Sequence, residues 1–392
     1  MPLRPGGGDF VCPPHFSENR HAHRGIMVGN KLSRAEGAMD MVKEREVDGA
    51  AWTRRIWAVG LGLLAMVFLL PLLLFSGAEP LVRAGEMEPP APTASLPILQ
   101  PPTVTPVPGW DTGQEIRLLH TDGEVETMTL QDYLWGVVAA EMPASFHLEA
   151  LKAQAVAART YCLYQMRGGG DKHPGADICG DYTCCQAYVT PAQAVEGWGE
   201  DHGLYTDKIT QAVAGTDGLL CLYGGAPIDA VFFSSAAGKT SDAVEVWGTQ
   251  VPYLVPVDSP EGEEVPGWKT VVTFTLEEFR ARFLESFSQA DLSGPAAGWF
   301  SEPTLDSSRA VSAISVGGVE VTGAQARQAL GLRSAHFTVE PGEETVVLHV
   351  TGYGHGVGMS QYGANALAAQ GKDFAAILKW YYTGISVSGL ET

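Results

Sequence analysis

The chain has 392 residues, enough to bury a large core and to hold one large or two ordinary domains. With 45% hydrophobic and 18% charged residues, its composition is that of a globular protein. A formal net charge of -20 argues against a nucleic-acid surface, which needs a basic footprint, and leaves polyanion binding only to a local basic patch.

Residues 1–55 are expected to form a disordered cytoplasmic tail. The first 40 show no periodicity, and Met27, Met39 and Met41 offer alternative starts. Ile56 to Phe75 then runs without a charge, about the 20 apolar residues that a helix needs to cross a bilayer. Arg54 and Arg55 precede it, whereas Glu79, Glu86 and Glu88 follow it against one Arg83, a bias that puts the N-terminus inside and the rest outside. The alternative is a cleaved signal peptide, with SGA at 76–78 as the cut site; the length of the apolar run favours the anchor. Residues 76–109 are rich in proline and read as a stiff spacer.

The outer domain, 110–392, begins near Trp110. EIRLLHTDGEVETMTL predicts two short strands turning at Asp122-Gly123. Thr129 and Asp132 resemble a capping box for a helix through YLWGVVAAEM, which Pro143 must stop near Glu141 or Met142. A second helix runs from after Ser145 to about Gln165, with Leu148, Leu151, Ala155, Ala158 and Cys162 on one face. Arg159 falls roughly 20° from Leu148 on that projection. Its guanidinium either meets a carboxylate or an acceptor-rich ligand, or it snorkels to water.

Further along, YTDKITQAVAGT predicts a helix and GLLCLYGGAPIDAVFFSSA a set of strands. Residues 259–345 look like an elaboration with a helix in EEFRARFLESF, a hairpin in ISVGGVEV and a helix in GAQARQALGL. TVVLHVT is a strand, and Gly352, Gly354, Gly356 and Gly358 alternate after it. Two short helices separated by Gly371 close the chain. Strands and helices mix without a βαβ rhythm, so the expected class is α+β, one extracytoplasmic domain of mixed helices and short strands.

Three features could carry chemistry. Glu141 stands at the negative pole of a helix dipole among apolar neighbours; both raise a carboxylate's pKa, as a general acid requires. The plain alternative is an exposed helix-end glutamate. The alternating glycines lack the third glycine of a dinucleotide fingerprint, but they let backbone approach a bulky ligand, with His355, Ser360, Gln361 and Tyr362 to hydrogen-bond it and Tyr353 and Tyr362 to stack on sugar rings; the alternative, compatible with binding, is a loop needing positive φ angles. Five of the six cysteines (Cys162, Cys179, Cys184, Cys185 and Cys221) follow the span, so a purely disulfide framework leaves one over. His173, Cys179 and Cys185 could instead be three ligands of zinc, completed by water, Cys184 or a carboxylate; a Cys179–Cys184 or Cys179–Cys185 disulfide is the competing arrangement.

Together, LQDYLWGVVAAEMPASFHLEALKAQAVAARTY, DAVFFSSAAGKTSDAVEVWG with VPYLVPVDSP, and GHGVGMSQYGANALAAQGKDFAAILKWYYTG resemble the stage II sporulation protein D family over about residues 115–385. The resemblance implies a lytic transglycosylase that cuts peptidoglycan glycan strands stripped of stem peptides during engulfment, leaving 1,6-anhydromuramic ends. It implies Glu141 as catalytic acid, Arg159 as a further catalytic residue, and Ser234, Ser235, Lys239, His355, Gln361 and Tyr362 as substrate-binding residues lining a glycan-binding cleft. It supports a structural zinc on His173, Cys179 and Cys185. Implied partners are the glycan strands themselves, a sporulation amidase and a multispan membrane protein (stage II sporulation proteins P and M), at the engulfment septum of the forespore. The central block departs from the family's common SxSGGxT by reading SSAAGKT, which weakens the expectation of backbone contacts at Ala236 and Ala237. Two other classes compete: a non-catalytic wall-binding amidase enhancer of the same family, and a zinc amidase, for which a His-rich catalytic set is lacking.

Overall fold

A computed structural model describes residues 104–167 and 172–390. The expected tail, the expected span at 56–75 and most of the proline-rich spacer lie outside the described residues. Among those described, no helix is long and apolar enough to cross a membrane. The class is α+β, as the interspersed pattern predicts.

Strands β1 (Glu115–Leu119) and β2 (Val125–Thr129) form the expected hairpin, in register from Glu115 opposite Thr129 to Leu119 opposite Val125. Thr129 then caps α1 (Leu130–Glu141) by accepting the Asp132 N–H at 3.1 Å. The helix ends at Glu141; Met142 is extended at φ -122° and ψ 142°, as a residue before proline must be. Helix α2 (Leu148–Arg167) forms the centre of the domain, and Ala153 through Cys162 are buried without a break. Its alanines expose no polar side chain and let neighbouring helices approach closely.

A two-residue strand, β3 (Ile178–Cys179), lies parallel to β1, and helices α3 (Pro191–Trp198) and α4 (His202–Ala214) follow. Sequence periodicity did not point to α3, although Thr190 and Gln193 make a full capping box with Pro191 at its start. Next come β4 (Leu220–Tyr223), β5 (Ala226–Pro227), β6 (Phe232–Phe233) and a single-turn α5 (Ala243–Trp247).

A lobe with its own core follows. It contains β7 (Lys269–Thr275), α6 (Leu276–Ser286), β8 (Thr304–Leu305), β9 (Val311–Val316), β10 (Val319–Val321), α7 (Gly323–Leu330), β11 (Phe337–Pro341) and β12 (Thr345–Thr351). Phe274, Phe279, Phe283, Trp299, Leu348 and Val350 lead its hydrophobic cluster, which is distinct from the main one. Lys269 pairs with Thr351, so the lobe leaves and rejoins the main body at adjacent points. Ser259 and Glu261, inside the segment read as an elaboration, pack on the main body instead, bonding to the Tyr381 and Ser360 hydroxyls.

The chain closes with β13 (Met359–Ser360), parallel to β6, then α8 (Gln361–Ala369), α9 (Phe374–Tyr381) and β14 (Ser386–Ser388), which pairs with β4. These C-terminal helices pack on α2, so one main core draws on residues from Ile116 to Val387.

One acid in that core is strained. Burial pushes the Asp229 carboxyl up to about 6, with Lys172 opposing it, and one carboxylate oxygen has no partner. Because its folded pKa exceeds the unfolded one, the group costs stability as pH rises through 3.8 to 6, and the full cost is present above that window. Asp229→Asn is therefore expected to raise stability at pH 8 by on the order of 2 kcal/mol and to change little at pH 3. Thermal melts of both proteins at the two pH values check this; equal shifts at both would contradict it.

Candidate functional site

Glu141 sits where α1 stops, partly buried. Its Oε1 accepts the Ala187 backbone N–H at 2.6 Å, and its Oε2 accepts Gln361 Nε2 at 3.2 Å. Burial pushes its pKa up, and the two hydrogen bonds pull it down without cancelling the rise. The carboxyl is thus oriented by two donors yet biased toward its protonated form, which suits a general acid.

The reach of Ala187 depends on Gly136, one and a half turns earlier in α1. A Cβ there would lie 2.3 Å from Tyr188 Cε2 and 2.6 Å from the Val189 carbonyl. Glycine lets residues 187–189 run close along the helix, while Tyr188 stacks on Tyr133 with ring centroids 6.1 Å apart.

On the other side, Gln361 opens α8, whose N-cap is Ser360. The helix is tied to the turn after Pro143: His147 N–H donates to Asn365 Oδ1 at 2.8 Å, and Phe146 meets Tyr362 edge-to-face at 4.9 Å. Tyr362 N–H donates to the Ser234 carbonyl at 3.0 Å, which brings the central block alongside. The fold therefore gathers Glu141, Gln361, Tyr362 and Ser234 at one place. Lys239 stands half-buried nearby in sequence, with no hydrogen-bond or acidic partner among the described residues.

The glycine loop takes the positive φ angles that one of its two expected readings called for. Gly354 and Gly358 have φ of 121° and 79°, and a Cβ on them would lie 2.6 Å from Phe233 Cβ and 2.2 Å from the Val231 carbonyl. Gly352 and Gly356 press likewise on Ser235 and Ser241. These glycines admit the strand carrying Ser234 and Ser235 rather than a ligand's bulk. Ser235 is buried, exchanging backbone hydrogen bonds with Tyr353.

His355 is committed as well. Its Nε2 faces the Phe232 carbonyl at 3.1 Å, and its Nδ1 accepts the Val357 N–H at 3.2 Å. Burial, aided by the charge of Arg327, pushes its pKa down to about 4, so the ring is neutral with one tautomer fixed. Against the expectation of a substrate hydrogen bond, both nitrogens serve the loop itself.

Glu261, which the motifs did not single out, is buried between Ala236 and Ser360. It accepts hydrogen bonds from Ala236 N–H at 2.7 Å and from the Ser259 and Ser360 hydroxyls. One carboxylate thereby couples the central block to the cap of α8.

Arg159 lies elsewhere. Its side chain is fully buried and makes a bidentate pair with Asp111, Nε to Oδ1 at 2.7 Å and Nη2 to Oδ2 at 2.6 Å, while Nη1 reaches the Leu219 carbonyl at 3.2 Å. Of the alternatives the sequence left open, the carboxylate partner is realised and the snorkelling side chain is not. With no solvent access, the guanidinium has no route to substrate; the expected catalytic contact is replaced by a structural one.

His173, Cys179, Cys184 and Cys185 converge, their ligand atoms within 4.8 Å of one another. His173 Nε2 is 3.2 Å from Cys185 Sγ and 3.7 Å from Cys184 Sγ. Cys179 and Cys185 are both free thiols, so neither of the expected disulfides is formed. The Cys185 thiol is held down at about 5, first by its hydrogen bond with Cys179 and then by His173 and Lys172. Imidazole and thiolate at such spacing suit tetrahedral zinc, whose Zn–S bonds of about 2.3 Å put ligand sulfurs roughly 3.8 Å apart. The cluster ends two residues before Ala187, the donor to Glu141, so whatever fixes this loop also fixes that donor.

Comparison with known proteins gives a consistent picture. The "Stage II sporulation protein" family matches residues 120–223. Stage II sporulation protein D of Bacillus amyloliquefaciens is 38% identical over 269 residues, covering 68% of this chain and 76% of that protein. Its counterpart in Bacillus subtilis is 38% identical over 265 residues, 67% of this chain and 76% of that one. A more distant relative, an amidase enhancer of Bacillus subtilis, is 28% identical over 312 residues, 65% of this chain and 40% of its own length.

Proposed function

The chain belongs to the stage II sporulation protein D family, with a role in sporulation at the cell wall, and from that premise we propose that it is a lytic transglycosylase of peptidoglycan glycan strands. The observation that carries the proposal is Glu141: a carboxyl at a helix end, raised in pKa by burial and oriented by donors from two distant parts of the chain.

Glycosidases that use water need a second carboxylate to activate the water or attack the sugar. A lytic transglycosylase uses the muramic acid 6-hydroxyl as nucleophile, so one group can serve twice. Protonated Glu141 donates to the glycosidic oxygen as the bond to the anomeric carbon breaks. The resulting carboxylate takes the proton of the 6-hydroxyl as its oxygen bonds that carbon, giving a 1,6-anhydromuramic end and restoring the acid. Gln361 and the Ala187 N–H keep the carboxyl aimed through both steps; Tyr362 and Ser234 border the place where the sugar would lie.

His173, Cys179 and Cys185 would hold zinc, which when bound supplies rigidity to the loop leading to Ala187. Purified protein is expected to contain about one zinc per chain, and a Cys179→Ser variant much less; elemental analysis checks this, and equal content in both would count against the ligand set. The anchor at 56–75 would tether the domain outside the membrane, beside an amidase that strips stem peptides and a multispan membrane partner.

The test is incubation of the full-length protein with denuded strands, reading anhydro ends by mass spectrometry. A protein that binds strands without making such ends would instead support a second reading, favoured by the likeness to an amidase enhancer: a glycan-binding protein that recruits or stimulates an amidase.

A further inference from the structure

One arginine of the lobe, Arg333, lies against the glycine loop, and a second, Arg327, lies within range of its charges. Arg333 rejoins the main body through its backbone, its carbonyl accepting the Gly354 N–H at 2.9 Å. Its guanidinium lies 4.2 Å over the Tyr353 ring centroid, and one Nη donates to the Gly267 carbonyl at 3.1 Å. Its Tyr353 platform exchanges backbone hydrogen bonds with Ser235, the neighbour of Ser234, whose carbonyl accepts the Tyr362 N–H. The seat is made to fit: Gly267 has φ 69°, and a Cβ there would stand 2.5 Å from Arg333 Nη1.

Arg327, in the last turn of α7, spends only its Nε among the described residues, on the Leu332 carbonyl at 3.3 Å. It is near enough to His355 and Tyr353 for the charges to interact, and burial works against its own charge.

Neither arginine has an acidic oxygen within 4.0 Å among the described residues, a state shared with Arg280, Arg282 and Arg309 but not with Arg117 and Arg159. The chain has 45 acids to 25 bases, so acidic partners are not scarce. A half-buried guanidinium left without one is costly, and a planar fork seated over an aromatic ring is preorganised to take a carboxylate.

We propose that Arg327 and Arg333, with Tyr353 as platform, form a carboxylate site beside the cleft that reads the free lactyl acid of a muramic residue. The inference rests on the glycan reading given above. An intact strand joins its lactyl group to the stem peptide through an amide. Hydrolysis of that amide releases the peptide's amine and leaves a carboxylate, so the site would make prior removal of the stem a condition of tight binding. The other carboxylates on such a polymer belong to the stem peptide.

Binding separates these cases without reading cleavage. Full-length protein carrying Glu141→Gln is equilibrated with three probes: denuded strands, the same strands with their carboxylates coupled to methylamine, and strands that keep their stems. Denuded strands are expected to bind about tenfold more tightly than either of the others. Adding Arg333→Gln or Arg327→Gln is expected to abolish that preference, since the residue and the carboxylate form one interaction. Equal binding of denuded and capped strands would overturn the proposal, and this comparison needs no arginine variant to fold. Stem-bearing strands bound as tightly as denuded ones would overturn the lactyl assignment. A uniform loss on all three probes in Arg333→Gln would mean that the residue only docks the lobe. A protein that never makes anhydro ends can still pass this test, and one that makes them without discriminating fails it.

Discussion

Replacement of Glu141 by Gln is expected to lower formation of anhydro ends by about 10²–10⁴-fold, the contribution of a positioned acid–base group. The substitution is nearly isosteric. Its amide oxygen can still accept the Ala187 N–H, and the Gln361 amide can turn to offer its own oxygen, so the fold and the melting temperature should stay close to those of the parent. Only the titratable proton is removed. The parent's activity should also fall as pH rises past the elevated pKa of Glu141, because the first step consumes the protonated form; the residual activity of the variant should not follow that profile. Retained turnover in the variant, measured by mass spectrometry on denuded strands, would refute the assigned role.

The second large effect concerns stability. Arg159 and Asp111 are a fully buried ion pair, at 0% and 1% side-chain exposure. Asp111 also receives the Gly218 N–H, and its own N–H donates to Asp217, so the pair ties the first turn of the domain to α2 and the start of β4. Removing the guanidinium alone leaves a buried carboxylate without its partner. Arg159→Met is therefore expected to cost about 3–5 kcal/mol, a large part of a domain's stability. Asp111→Leu combined with Arg159→Met should recover much of that loss, since two apolar groups can replace a buried pair. Denaturant titration of the two single variants and the double variant measures this coupling. If the residue were instead catalytic, Arg159→Met would keep its stability and lose turnover.

The local structure was legible because the chain punctuates itself. Asp122-Gly123 made the first hairpin, Pro143 ended α1 at Glu141, and Gly317-Gly318 turned β9 into β10. In each case the deciding residue lies within a few positions of its effect. The site was legible in part, through side chains whose chemistry is visible in their letters: Glu141, Gln361 and the His–Cys cluster.

What stayed hidden is what only tertiary structure creates. Arg159 sits on the right helix face to be buried, but its partner lies 48 residues upstream, in a turn with no motif. The Ala187 donor is a backbone N–H, which any residue but proline carries. Glu261 reads as one more acid in an acidic stretch until Ala236 and Ser360 converge on it. The glycines of the C-terminal loop were recognised as a close approach, yet the thing approached is the chain's own strand.

Gln361 reaches Glu141 across 220 residues of sequence. During synthesis the acid leaves the ribosome long before its orienting partner does, and contacts of such separation form late in folding. A nascent, truncated or half-folded chain thus carries the acid without the hydrogen bond that aims it. For the wall-cutting activity proposed above, such an arrangement makes completion of the polypeptide a precondition of danger.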